Sequence, residues 1–181
     1  MTGQTMISAA FFVMLTAAVL SANKMILESN RDYIQAQAVE QATNFANALL
    51  SEIVTKRFDS QADYSYYQAT SEFDPPGAMG TSAATKNYVM PGGAPDVAPY
   101  KSIRGDSPSY LDDVDDYHTY QRTANAGDIS GYLLKVSVYY VTKSNPNAAS
   151  STQSRYKRID VTVEHSLYLP KKLTFSAIAT Y

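Results

Sequence analysis

The chain has 181 residues, 45% of them hydrophobic and 18% charged, with a formal net charge of −2. Apolar content of this order excludes wholesale disorder, and the near-zero charge argues against a dedicated nucleic-acid binder, which is normally clearly basic. There is no cysteine, so a disulfide scaffold, a thiolate metal centre and a cysteine nucleophile are excluded.

The first predicted element is apolar. Residues 5–22 read TMISAAFFVMLTAAVLSA without a charge, and Lys24 is the first charged residue. At 1.5 Å per residue such a helix spans about 27 Å, close to the ~30 Å hydrocarbon core of a bilayer. A cleaved signal peptide would need a basic start and a small-x-small cleavage site. Residues 1–4 hold no Lys or Arg, and Leu20 stands where a small residue belongs in Leu20-Ser21-Ala22. Lys and Arg on the cytoplasmic flank normally set membrane orientation. Their absence before the span points either to an unusual orientation or, the reading favoured here, to a basic leader already removed, with Met1 as the mature first residue.

Residues 24–57 contain no Gly or Pro and are rich in Ala, Gln, Glu and Leu, all good helix formers. Ile34, Ala38, Ala42, Phe45, Leu49 and Ile53 recur at steps of three and four, which marks one face of a helix. The pattern predicts one unbroken helix over 4–57, about 80 Å long, half of it expected to protrude from the domain that follows. Residues 58–130 hold six of the eight prolines and eight of the 15 tyrosines, and read as long loops with short strands at best. From residue 131 the period becomes two. Tyr132, Leu134, Val136, Val138 and Tyr140 alternate with polar residues. So do Ile159, Val161, Val163 and Leu167, and then Leu173, Phe175, Ala177, Ala179 and Tyr181. Three strands with one apolar face each make an antiparallel meander that needs a cover. The expected architecture is α+β. An apolar transmembrane or filament-core helix (1–23) continues as an amphipathic helix (24–57), whose face packs on the sheet of a globular head (58–181, with loops at 58–130 and sheet at 131–181).

The apolar end cannot rest in water. Met6, Ile7, Phe11, Phe12, Val13, Met14, Leu15, Val19 and Leu20 would cost on the order of 14–27 kcal/mol if left exposed, at about 1.5–3 kcal/mol each. That exceeds the stability of an ordinary domain, so the segment enters lipid or packs against protein. Lipid tails and leucine-rich protein are similarly apolar, and Ser8, Ala9, Ala10, Ala17, Ala18 and Ser21 would permit close helix approach. A simple membrane anchor for a soluble head remains the alternative to a bundle of identical helices.

This layout resembles the type IV pilins and pseudopilins: an uncharged N-terminal helix, an Ala/Gln-rich helix ending ALLSEIVTKRF, a Pro/Gly/Tyr loop region, and a C-terminal sheet reading YKRIDVTVEHSLYL and LTFSAIATY. The stretch YLDDVDDYHTY also resembles an Asp-rich segment of some minor pilin-like subunits. The resemblance implies a non-enzymatic structural subunit of an extracellular bacterial pilus, a helical homo-oligomer that passes through an inner-membrane intermediate. It further implies leader removal and N-methylation of Met1, assembly machinery as partner, and roles such as adhesion. The alternatives are a minor pseudopilin of a secretion or DNA-uptake machine, or a membrane-anchored binding module. At the fifth mature position, where the family usually has glutamate, this chain has Thr5 (Ser8 if cleavage follows Gly3). Neither is acidic, which hints at a divergent or minor subunit.

Among chemical candidates, Asp112, Asp113, Asp115 and Asp116 lie within five residues. Clustered carboxylates suit a hard cation such as calcium, though the spacing is not that of an EF-hand. A solvated acidic loop and pairing with a neighbouring subunit's basic sheet region (Arg155, Lys157, Arg158, Lys171, Lys172) are the competing readings. No other cofactor is expected. His118 and His165 are the only histidines. His165 has inward parity on its strand, and no Gly-x-Ser-x-Gly elbow accompanies either histidine. Gly92-Gly93 opens no helix and makes no phosphate loop.

Overall fold

The computed structural model describes residues 2–59, 62, 68–79, 111, 113–127 and 129–181, with side chains from residue 7 onward. It consists of two compact units, Met1–Val39 and Glu40–Tyr181. Helix α1 covers Thr2–Val54, 53 residues. It stops three residues before the predicted 57, where Lys56 N–H bonds the Ile53 carbonyl in a closing turn. No residue between Gln4 and Val54 is a Gly or Pro, so nothing in this stretch breaks the i to i−4 ladder.

In the second unit α1 supplies the cover that the sheet requires. Of the predicted face Ala42, Leu49 and Ile53 are buried, with Ala46 and Leu50 beside them, whereas Ile34 in the first unit is exposed. Phe45 is half-buried, with its ring 5.3 Å from that of Tyr132. Two polar clasps fix the register of helix on sheet. The Tyr132 hydroxyl donates to Gln41 Oε1 at 2.8 Å. Glu52 accepts from the Tyr117 hydroxyl at 2.7 Å and from Arg122 Nη1 at 3.2 Å.

The sheet is an antiparallel meander of β1 (Gln121–Ala126), β2 (Ile129–Tyr140), β3 (Tyr156–Glu164) and β4 (Leu173–Thr180), in sequence order. Three of these strands match the sequence expectation. The fourth, β1, lies in the stretch read as loop. QRTANA carries no run of large apolar residues, and the strand is made by its pairing with β2 rather than by its own pattern. Its hairpin closes through Gly127, at φ +54°, a conformation that favours glycine. A bulge at Ala124/Asn125 shifts the register, and Gly131, at φ +96°, donates its N–H to Asn125 Oδ1 at 2.9 Å.

The inward parity is as expected on β2 and β3. Tyr132, Leu134, Val136, Val138, Tyr140, Ile159, Val161 and Val163 are all buried. Leu167 corrects the expectation. β3 ends at Glu164, and Leu167 stands 80% exposed in the turn that follows. β4 is an edge strand and only Ala179 on its inner face is fully buried. Its outer face carries a polar ladder in which Thr162 meets Thr174 at 3.0 Å, while Ser176 donates to Asp160 at 2.6 Å.

Candidate functional site

Two places carry chemistry that an ordinary small domain does not need. The first is the surface of α1 in the first unit. Ile7, Phe11, Phe12, Val13, Met14, Leu15, Val19 and Leu20 are all exposed, Phe12 at 67% and Met14 at 73%. The side chain of Met6 lies outside the described residues, as does Met1. The apolar surface also extends past the predicted boundary at 23, because Met25, Ile26 and Leu27 are exposed as well. Lys24 interrupts the sequence pattern and pairs with Glu28 at 3.7 Å. The hydroxyl of Thr16 donates to the Phe12 carbonyl at 2.8 Å, so this polar group is satisfied within the helix and does not bar an apolar environment. The helix is long and apolar enough to cross a membrane.

The second place lies inside the head. The expected basic patch on β3 includes Lys157, and its parity matches that of Ile159, Val161 and Val163 (β3 alternates from buried Lys157 onward). Its side chain is wholly buried and its Nζ makes three contacts. It lies 2.9 Å from Asp59 Oδ2, 2.9 Å from Asp115 Oδ1 and 2.7 Å from the Phe58 carbonyl. The rings of Phe58 and Tyr140 flank the ammonium at 4.5 and 5.2 Å, a cation–π setting with no room for bulk water.

Asp59 is also completely buried. Its Oδ2 accepts from the Asp74 N–H at 3.1 Å and from the Tyr140 hydroxyl at 3.3 Å in addition to Lys157. The Tyr140 hydroxyl also bonds the Asp74 carbonyl at 2.8 Å. Nearby, Phe58 meets Phe73 and Tyr181 edge to face at centroid separations of 5.2 and 5.9 Å, and Phe73 and Tyr181 meet at a tilt at 4.9 Å.

The aspartates predicted as calcium ligands divide. Asp112 lies outside the described residues. Asp113 and Asp115 are buried, at 2% and 3% exposure, and Asp116 is half-buried. Asp115 opens a 3-10 turn, Asp115–Tyr117, and Asp113 Oδ1 caps that turn by accepting from the Asp116 N–H at 3.0 Å. This is the local bonding that makes Asp a turn residue. Burial pushes Asp115 from the usual 3.8 up to about 7, against the opposing pull of Lys157. Asp113 is raised as well, again chiefly by burial. Asp59, Asp74 and Asp115 bring carboxylate oxygens within 4.8 Å of one another, a spacing compatible with a metal ion. The oxygens of Asp59 and Asp115 already share the ammonium of Lys157, which gives this cluster a cation from the chain itself.

Lys157 and Asp115 therefore meet within one molecule, whereas the sequence reading offered such pairs between neighbours. Arg158 is likewise engaged internally, with Nε 2.8 Å from Asp160. Burial raises the Asp160 carboxyl, but hydrogen bonds from Ser176, Arg158 and Tyr139 outweigh it and hold the group low. Lys171 and Lys172 are exposed. The sequence signal for the buried cluster was present: a lysine sharing the parity of three buried β-branched residues has to be inside. Asp59 and Asp74 carried no signal, since nothing local marks their approach to β3.

Both histidines serve the backbone. His165 Nδ1 accepts from the N–H groups of Leu167 and Tyr168, at 3.2 and 3.1 Å. Its Nε2 therefore carries the proton and donates to the Ser130 carbonyl at 3.0 Å. His118 Nδ1 accepts from the Val138 N–H at 3.1 Å. No serine hydroxyl takes part in these bonds.

Compared with protein-family models, curated proteins and solved structures, the chain matches nothing in any of the three.

Proposed function

We propose that this protein is a structural subunit of a type IV pilus-like helical filament, held together by packing of its N-terminal apolar helices and carrying the sheet-bearing head on the outside. The observation behind this reading is the run of exposed apolar side chains from Ile7 to Leu20, continued by Met25, Ile26 and Leu27. Water does not tolerate such a surface. Lipid shelters it before assembly and sister helices shelter it afterwards, with little change in hydrophobic free energy between the two. A helix that needed only to anchor a head could end near Ala22. Here the apolar surface runs on past a lysine, and the helix continues to Val54. The filament lies outside the cell, and the subunit's intermediate state is in the inner membrane of a bacterium.

Negative-stain microscopy of the purified chain tests this directly. Long filaments are expected from the wild type. Phe12→Asp should abolish them while leaving the circular dichroism of the head unchanged, because a carboxylate at the centre of an apolar segment costs about 2.5–3.5 kcal/mol. Normal filaments from that variant, or a stable detergent-free monomer retaining residues 1–23, would overturn the proposal.

A further inference from the structure

The buried lysine carries an inference independent of the filament reading. An ammonium shut away from water is costly even when paired. Here it sits between two carboxylates and two aromatic rings, and the surrounding groups are arranged unequally. Asp59 Oδ2 accepts from Lys157 Nζ at 2.9 Å and from the Asp74 N–H at 3.1 Å, and the Tyr140 hydroxyl, which donates to the nearer Asp74 carbonyl at 2.8 Å, lies 3.3 Å away. Donors converging on one carboxyl oxygen draw electron density from its carbon and stabilise an oxyanion there. Asp115 touches the same nitrogen from another side, at 2.9 Å. It has no such set of donors on its Oδ1. It has a neighbouring carboxyl, Asp113, and is itself buried.

We propose that Lys157 and Asp59 condense into an intramolecular amide cross-link, with Asp115 as the proton-transfer group. Lys157 Nζ gives a proton to Asp115, and its freed lone pair attacks Cγ of Asp59. The tetrahedral intermediate places its charge on Oδ2, beneath the Tyr140 hydroxyl and the Asp74 N–H. Asp115 delivers the two protons lost by the nitrogen to the other oxygen of Asp59, which leaves as water. Nothing is oxidised or reduced. One ammonium and one carboxylate become one neutral amide and one water, so a buried ion pair is replaced by a group that needs no counter-charge.

Nucleophile, electrophile and proton carrier are held within hydrogen-bond reach in a water-excluded pocket, which is the arrangement that lets a side-chain reaction proceed without an added enzyme. Asp115 Oδ1 lies 2.9 Å from Lys157 Nζ, within reach to accept a proton and return it. The bond would join residues 98 positions apart, tying the segment after α1 to β3 in a chain that has no cysteine for a disulfide.

The test is peptide mapping of the full-length chain, extracted from membranes in detergent and digested with trypsin under denaturing conditions. The expected result is loss of cleavage after Lys157. A branched peptide should appear, joining the Asp59 and Lys157 segments and lighter by one water than their sum. Lys157→Arg, which keeps the cation, and Asp115→Ala should each give only linear peptides, with the wild-type circular dichroism reporting whether the variants fold. Linear Asp59 and Lys157 peptides in full yield from the folded wild type would overturn the proposal without recourse to any variant. A branch that joins Lys157 to Asp115, or one that persists in Asp115→Ala, would overturn the assigned roles.

Discussion

The two units of this chain invert each other's chemistry. In the first, phenylalanines, leucines and methionines face outward along α1. In the second, a lysine and three aspartates, Asp59, Asp113 and Asp115, are buried, and the rings of Phe58 and Tyr140 flank the lysine. Each departs from the ordinary distribution, in which charge is wet and large apolar patches are covered. The difference lies in what compensates. Asp59 and Asp115 find their partner inside the molecule, each 2.9 Å from Lys157 Nζ, so they report on the stability of the head. The exposed rod has no cover among the described residues of the chain, so it reports on what surrounds the molecule.

Substitutions can separate these two kinds of exception. The largest effect is expected for Lys157→Met, which leaves Asp59 and Asp115 buried with neither the ammonium nor the proposed cross-link. Removing one partner of a buried ion pair typically costs about 3–5 kcal/mol, and thermal unfolding of the head should show a loss on that scale. An unchanged melting temperature would mean that the cluster is solvated. A matched pair comes next. Leu49→Ala opens a void beside the sheet and should cost about 2–5 kcal/mol. The same change at Leu15, exposed on the rod, should leave head unfolding where it was and weaken filament or membrane association instead. Equal effects on the melt would erase the distinction between the units.

A third expected effect is the pH dependence set by Asp115. Its folded value of about 7 lies above the usual 3.8, so the folded state holds this proton more tightly than the unfolded state. The stability it contributes is complete below about pH 4 and is lost as pH rises through about 7. Asp113 acts in the same direction and Asp160 in the opposite one. Melting curves between pH 4 and 7 should therefore show a downward slope that Asp115→Asn flattens. A slope that survives the substitution would assign it to other groups.

Much of the fold was legible because local pattern and tertiary placement agreed. The i, i+3, i+4 spacing of Ala42, Leu49 and Ile53 predicted the packed face of α1, and strict alternation predicted the inner faces of β2 and β3. Where pattern and placement diverged, the reading failed in an instructive direction. QRTANA has no strand signature, yet β1 forms because β2 offers it a partner edge. Leu167 kept the parity of β3, yet the strand had already ended and the side chain lies in solvent. The aspartate run looked like one exposed acidic loop. Its members instead occupy different depths, because a 3-10 turn directs Asp115 to the lysine while Asp116 stays half-buried.

By itself the order of residues determined what depends on neighbours along the chain: an uninterrupted helix, its uncharged leading stretch, and strands that present one apolar face each. Those properties follow from backbone sterics and from side-chain periods of 3.6 and two, which need no knowledge of distant contacts. Only the tertiary structure decided that Asp59, Asp115 and Lys157 share one pocket. They are separated by up to 98 positions, and no local rule ties them together. Their meeting is a consequence of the register between α1 and the sheet, where the shape of the apolar core selects which polar atoms are carried inside with it.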